Sequence, residues 1–73
     1  MDQVQSGKIV NLNKDRAFGF IKPEGKTDRA DNVFFHKNNM IDFKFEDLEL
    51  NNIVEFAIKD TEKGLNAINV VVR

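Results

Sequence analysis

Short apolar stretches that recur between turn-rich segments constrain this chain more than any other feature of its sequence. Five of these stretches fit β-strands, and they cover residues 7–13, 17–23, 32–36, 51–60 and 66–73. The intervening residues 37–50 show no sustained period, and we expect one helical turn there, near residues 38–41. Five short strands in a flat sheet would leave much unpaired edge, so the pattern favours closure. The sequence therefore predicts an all-β chain folded as a small five-stranded antiparallel barrel.

The length and the composition limit what else can stabilise the fold. Seventy-three residues make one domain, with a predicted core from about residue 7 to residue 72. The chain has no cysteine, and its one histidine has no second ligand at a usable spacing, so we expect no disulfide, metal or cofactor. The absence of cysteine fits the cytoplasm, and no segment approaches the ~20 apolar residues of a membrane span. We expect a monomer.

Strand alternation separates the side chains that fill the barrel from those that face outward, because successive residues of a strand point to opposite faces. The alternate residues on one face of the strands supply enough aliphatic and aromatic side-chain volume to fill a small barrel. Leu12, Met40 and Leu48 are expected to close its ends. The predicted inward set is Ile9, Ile21, Val33, Phe35, Val54, Phe56, Ile58, Ile68, Val70 and Val72.

The opposite parity places three phenylalanines together on the outside. Phe18 and Phe20 share one face of the second strand, and Phe34 shares a face of the third strand with His36. Since neighbours on adjacent strands lie ~5 Å apart, these rings should form one contiguous outer surface. Gly19 then faces inward between two rings, where the lack of a side chain lets the sheet bend.

Outward aromatic rings with basic neighbours are typical of surfaces that bind single-stranded nucleic acid. Stacking of one base on an aromatic ring contributes ~1–3 kcal/mol to the binding free energy, whichever base it is. The net charge of −1 argues mildly against this partner, but the charges are uneven: residues 8–37 balance to +3 and residues 38–73 to −3. This asymmetry is either chance or a basic face. The candidate phosphate contacts are Lys8, Arg16, Lys37 and Lys63, with Lys26 and Arg29 as weaker candidates.

The same residues leave one alternative open and speak against another. An apolar outer surface also suits a partner protein, and the slight overall acidity favours that alternative. Salt separates the two, since phosphate binding weakens with salt and apolar docking does not. For an enzyme we find no cysteine nucleophile, no phosphate-binding glycine loop and no base paired with His36.

Two motifs in the right order resemble the cold-shock domain family. The segment RAFGFI (residues 16–21) is similar to the family's K-G-F-G-F-I, and NVFFH (32–36) to its D-V-F-V-H. GKIVNLN (7–13) and KGLNAINV (63–70) are similar to its first and last strands, so the resemblance spans nearly the whole chain. It implies an OB-fold barrel that binds single-stranded RNA or DNA by stacking and acts as an RNA chaperone in cold or other stress. By position it implies ligand contacts at Arg16, Phe18, Phe20, Phe34, His36, Phe45 and Lys63.

The chain also departs from the family pattern. Asn11 stands where the family has a tryptophan, Val10 and Leu12 replace its neighbours, and Lys37 replaces a phenylalanine. The loop between the second and third strands is about four residues longer. We therefore expect weaker, more salt-dependent binding. Asn11 either hydrogen-bonds a base edge or is a polar filler, and Phe45 either contacts the ligand or packs under its loop.

Overall fold

The computed structural model describes residues 4–25 and 31–73. Its strands are β1 (Val4–Asn13), β2 (Phe18–Pro23), β3 (Val33–His36), β4 (Ile53–Thr61) and β5 (Gly64–Val72), and short 3₁₀ turns cover Lys37–Asn39 and Phe45–Asp47. All five predicted strands are present, and β1 begins three residues earlier than the sequence pattern indicated. The 3₁₀ turn at Lys37–Asn39 lies where one helical turn was expected.

The strands close into a barrel in the order β1–β2–β3–β5–β4, which confirms the predicted fold class. Four of the five strand pairs are antiparallel, and the pair β3–β5 is parallel. This parallel pair differs from the fully antiparallel barrel that was expected. It arises because the long connection after β3 and the β4–β5 hairpin bring β5 back beside β3 in the same direction.

The core agrees with the predicted inward set except in β5. Ile58 and Val72 are partly buried against the core, together with Leu12 and Met40. Ile68 was predicted inside but is only half-buried and lies outside the core cluster. The buried hydrophobic residues are Ile9, Ile21, Val33, Phe35, Phe45, Leu48, Val54, Phe56, Ala57, Ala67 and Val70.

A bulge in β5 explains why the prediction for Ile68 is wrong. Between Glu55 and Ala57 of β4 the pairing shifts, so that β5 contains one extra residue. Asn69 lies in this part of β5 with φ of 52°, a left-handed conformation that asparagine tolerates better than most residues. The extra residue breaks strict alternation, and it is Ala67 and Val70 that face the core.

The connection between β3 and β4 closes one end of the barrel, and Lys14 holds it there. The Lys14 ammonium donates to the carbonyl oxygens of Phe45, Glu46 and Leu48 at 3.3, 2.7 and 2.8 Å. The same nitrogen lies 5.8 Å from the centroid of the Phe45 ring, within cation–π range. Beneath it, Phe45 packs on Phe35 with ring centroids 6.0 Å apart. Lys14 lies in the turn between β1 and β2, and its hydrogen bonds connect this turn to a loop more than thirty residues further along the chain.

Candidate nucleic-acid interface

The pairing of β2 with β3 fixes which aromatic rings face outward. Phe18 pairs with His36 and Phe20 pairs with Phe34, so these four side chains share one face. The residues between them are buried on the opposite face, as the pattern of alternating burial in both strands shows. The prediction that these rings lie outside the core is confirmed. We call Phe18, Phe20, Phe34 and His36 the aromatic surface.

The three phenylalanine rings contact one another closely. The Phe18 and Phe34 centroids are 5.5 Å apart with planes tilted by 32°. Phe20 stands edge-on to both, at 6.2 Å from Phe18 and 5.8 Å from Phe34. These are favourable distances and angles for aromatic pairs. The rings bury part of one another, so each is half-buried rather than fully exposed, and what remains exposed is a continuous apolar area.

Gly19 is required beneath this surface because β1 approaches it closely. A Cβ atom at Gly19 would lie 2.6 Å from the carbonyl oxygen of Asn11 and 2.9 Å from Cε1 of Phe35. Both distances are shorter than real Cβ contacts, and the first involves backbone that cannot easily move. The inward orientation of Gly19 is confirmed, and the reason for glycine is close packing on β1.

A bulge in β1 brings two asparagines to the outer face. The pairing with β2 shifts between Ile9 and Asn11, which leaves Val10 as an extra residue. Strict alternation from the buried Ile9 would turn Asn11 inward. With the bulge, Asn11 pairs with Phe20 and is exposed beside the aromatic surface. Asn13 pairs with Phe18, but its Oδ1 accepts a hydrogen bond from a turn amide, that of Arg16, at 3.1 Å.

His36 is oriented by the turn that follows β3. Its Nδ1 accepts a hydrogen bond from the backbone N–H of Asn38 at 3.2 Å, and its own backbone N–H donates to Oδ1 of Asn39 at 2.9 Å. In the neutral ring the proton is then on Nε2. In the part of the chain that the structure describes, no three histidine, aspartate or glutamate side chains are grouped as metal ligands would be.

The four candidate phosphate-binding side chains all lie exposed, in four different elements. Lys8 is in β1, Arg16 in the β1–β2 turn, Lys37 directly after His36, and Lys63 in the β4–β5 turn. None of them forms an ion pair with another described residue. Lys26 and Arg29, the weaker candidates, lie outside the described residues.

Phe45 lies in the core instead of beside the aromatic surface. Only 5% of the residue is exposed, and its ring packs against Phe35. Of the two possibilities left open by the sequence, the structure shows packing under the loop. In this conformation the ring offers no face to a base, and we leave Phe45 out of the proposed interface.

An open groove of about 720 Å³ continues the aromatic surface toward the β4–β5 turn. It is lined by Phe20 and Phe34 of the aromatic surface and by residues of the β4–β5 hairpin, namely Thr61, Glu62, Lys63, Leu65 and Asn66. The parallel pairing of β3 with β5 places Asn66 beside Phe34, and Leu65 is 48% exposed. Sequence reasoning missed both residues, because strand alternation within β5 says nothing about which strand lies beside it.

Lys22 was also missed, although the signal for it was present. It follows Phe20 by two residues in β2, so the alternation that placed the rings outside also places Lys22 there. It pairs with Lys8 in β1, which concentrates positive charge at this end of the surface.

Comparison with known proteins agrees with this geometry. Residues 5–73 match the family described as the 'Cold-shock' DNA-binding domain. The chain belongs to this family. It is 38% identical over 64 residues to the major cold shock protein of Micrococcus luteus, a match that covers 88% of this chain and 91% of the relative.

Other cold-shock relatives match over a similar extent. The chain is 35% identical over 71 residues to the cold shock-like protein CspG of Escherichia coli, with 97% of each chain covered. It is 35% identical over 68 residues to the cold shock protein CspD of Bacillus subtilis, with 93% and 97% covered. Among solved structures, Drosophila Unr CSD456 matches with a TM-score of 0.77 and 25% identity over 99% of this chain, which spans 27% of that longer chain.

No helical segment within residues 4–25 and 31–73 has the length and apolar character needed to cross a membrane.

Proposed function

We propose that this chain binds single-stranded RNA or DNA by stacking bases on the aromatic surface. The observation that supports this most directly is the contact of the Phe18, Phe20 and Phe34 rings on the outer face of β2 and β3. Membership of a family described as DNA-binding favours this partner over a partner protein. The binding involves no catalytic step.

Stacking gives the affinity and makes it tolerant of sequence. Each base that covers a ring gains ~1–3 kcal/mol, and every base has a flat face to offer. Because the rings are tilted relative to one another by 32° to 89°, bases stacked on them cannot remain stacked on each other in a regular helix. The surface therefore selects unpaired, splayed bases over duplex.

This selectivity supports a role as an RNA chaperone during cold or other stress. A protein that binds the single strand and not the hairpin shifts the pairing equilibrium toward the open form by mass action. We propose that the chain does this as a monomer in the cytoplasm, where low temperature stabilises unwanted RNA structure.

The surrounding cations hold the phosphates and make binding sensitive to salt. For single strands, the slope of log K against log salt is ~−0.7 per phosphate contact. If Lys8, Arg16, Lys37 and Lys63 each contact one phosphate, the slope should be about −3. Asn11 in place of an aromatic ring removes one stacking surface, so the share of binding due to charge is larger than it would be with that ring present.

Fluorescence anisotropy of a labelled heptathymidine tests the proposal. The double variant Phe18→Ala/Phe34→Ala removes two contacting rings and should weaken binding by ~30-fold or more, at ~1–3 kcal/mol per stack. Val71→Ala is the control, since Val71 is an exposed strand residue that pairs with Glu55 away from the aromatic surface. Both variants should keep the β-barrel circular dichroism spectrum.

Three results would contradict the proposal. The first is wild-type affinity for heptathymidine in the folded double variant. The second is a lack of binding by the wild-type protein at low salt. The third is binding that does not weaken as salt rises, which would favour the protein-docking alternative.

A further inference from the structure

Two lysines lie directly opposite each other where β1 and β2 extend beyond the aromatic rings. Lys8 of β1 pairs with Lys22 of β2 in the antiparallel ladder. Both side chains are on the outer face, because the residues on either side of each lysine are buried. Directly opposed side chains lie ~5 Å apart, and like charges at this separation destabilise a sheet. An anion bound between the two ammonium groups would relieve that repulsion.

The structure shows no carboxylate that already neutralises this pair. Neither lysine forms an ion pair with another described residue. Glu24 follows β2 and lies near the pair, but its carboxylate is not in contact with either ammonium group. Glu55 of the neighbouring β4 accepts a hydrogen bond from Arg73 at 2.8 Å. Both positive charges of the pair are therefore available to a ligand.

The lysine pair lines an open groove of about 590 Å³ at the junction of β1, β2 and β4. Ser6 is on the same face of β1 as Lys8 and adds a hydroxyl donor to this groove. Ile53 of β4 pairs with Lys8, is 49% exposed and gives the groove an apolar side. Because Lys22 is two residues from Phe20 in β2, the groove begins where the aromatic surface ends.

The donors of this groove match a terminal phosphate better than a phosphate within a strand. A phosphodiester inside a strand carries one negative charge and has two free oxygens. A phosphate monoester at a strand end carries a charge of about −1.5 to −2 near neutral pH and has three acceptor oxygens. Two ammonium groups and one hydroxyl can therefore neutralise and hydrogen-bond a monoester more completely than they can a diester.

From this arrangement we infer that the Lys8–Lys22 groove binds the terminal phosphate of a single strand whose bases stack on the aromatic surface. This inference rests on the proposed function. The two ammonium groups contact the phosphate oxygens from opposite sides, and Ser6 donates its hydroxyl hydrogen. The protein accordingly prefers strand ends that carry a phosphate over ends that carry only a hydroxyl group.

The test compares three heptathymidine strands in competition anisotropy titrations, with a 5′-phosphate, with a 3′-phosphate and with hydroxyl groups at both ends. We expect the phosphate at one of the two ends to tighten binding to the wild-type protein by about 5-fold at low salt, and the phosphate at the other end to have little effect. Inorganic phosphate added to the hydroxyl-ended strand in equal concentration should give no gain, since only a tethered phosphate has a high effective concentration.

Substitutions in the groove test whether these residues cause the preference. Lys8→Gln and Lys22→Gln should each reduce the ratio of the two affinities to about 2-fold or less. Glu24→Gln removes a negative charge from the groove and should raise the ratio. Lys59→Gln is the matched control, because Lys59 is an exposed strand lysine of β4 that does not line this groove, and it should retain the ratio.

A readout on the wild-type protein avoids dependence on any variant. Chemical shifts are compared between the complexes with the preferred phosphorylated strand and with the hydroxyl-ended strand. The differences should fall on Ser6, Lys8 and Lys22, while the ring protons of Phe18 and Phe34 should be nearly the same in both complexes.

The two levels of the argument fail separately. If the hydroxyl-ended strand does not bind, or binds without needing Phe18 and Phe34, the proposed function is wrong and the inference falls with it. If that strand binds through those rings but neither terminal phosphate tightens binding, or both do so equally, the terminal-phosphate inference alone is overturned. The same holds if folded Lys22→Gln keeps the full preference, if free phosphate gives the same gain, or if the shift differences lie outside the groove.

Discussion

Replacing Lys14 by methionine should loosen the loop that closes the barrel end and lower stability. The Lys14 ammonium donates three hydrogen bonds to backbone carbonyls of that loop, two of them at 2.7 and 2.8 Å. Methionine keeps a similar chain length and apolar volume but loses the charge and all three donors.

The magnitude follows from the number and exposure of these bonds. A hydrogen bond to a charged group contributes ~1.5–3 kcal/mol when it is well protected. Lys14 is exposed overall, and one bond is long at 3.3 Å, so we expect a total loss of ~1–3 kcal/mol rather than the sum of three protected bonds. For a domain of this size, each kcal/mol lowers the midpoint of thermal unfolding by ~4–8 °C.

Thermal and urea unfolding, followed by circular dichroism, measure this loss. Lys59→Met is the matched control, because Lys59 is exposed in β4 and makes no side-chain hydrogen bond or ion pair with a described residue. Amide exchange should also become faster in the 3₁₀ turn Phe45–Asp47 of the Lys14 variant. A Lys14→Met protein as stable as the Lys59→Met protein, with unchanged exchange in that turn, would refute the reasoning.

Further substitutions test the packing, the stacking and the surface charge. Gly19→Ala should lower the free energy of unfolding by ~1–3 kcal/mol or more, because the added Cβ would lie 2.6 Å from the Asn11 carbonyl oxygen. An unchanged midpoint in urea unfolding would contradict this. Asn11→Trp adds a ring opposite Phe20 and should tighten heptathymidine binding by ~5-fold or more; no gain in anisotropy titrations would count against stacking. Arg73→Ala breaks an exposed ion pair with Glu55 and should change the unfolding free energy by less than ~1 kcal/mol, so a larger loss would show that this pair is stronger than its exposure suggests.

The sequence predicted the parts of the molecule in which strict alternation holds. In β2 and β3 every residue follows the period of two, so the outward rings of Phe18, Phe20 and Phe34 and the inward Gly19 were all correctly placed. The barrel was predictable as well, since five short strands have few other ways to remove their edges.

The parts that sequence reasoning missed depend on bulges and on long-range contacts. A bulge changes the parity of a strand without a distinct sequence signal, which is why Ile68 was placed wrongly and why the outward position of Asn11 does not follow from alternation. The burial of Phe45 depends on how its loop folds over the barrel, and the Lys14 contact joins residues that are far apart in sequence. Local patterns contain neither kind of information.

The most direct test of the central claim is chemical-shift mapping of heptathymidine binding at two ionic strengths. We predict that the largest ring-proton and backbone shifts fall on Phe18, Phe20, Phe34 and His36, and that the affinity drops at the higher salt with a slope near −3, at ~−0.7 per phosphate. Shifts confined to other parts of the barrel, with these four residues unchanged at low salt, would contradict the account.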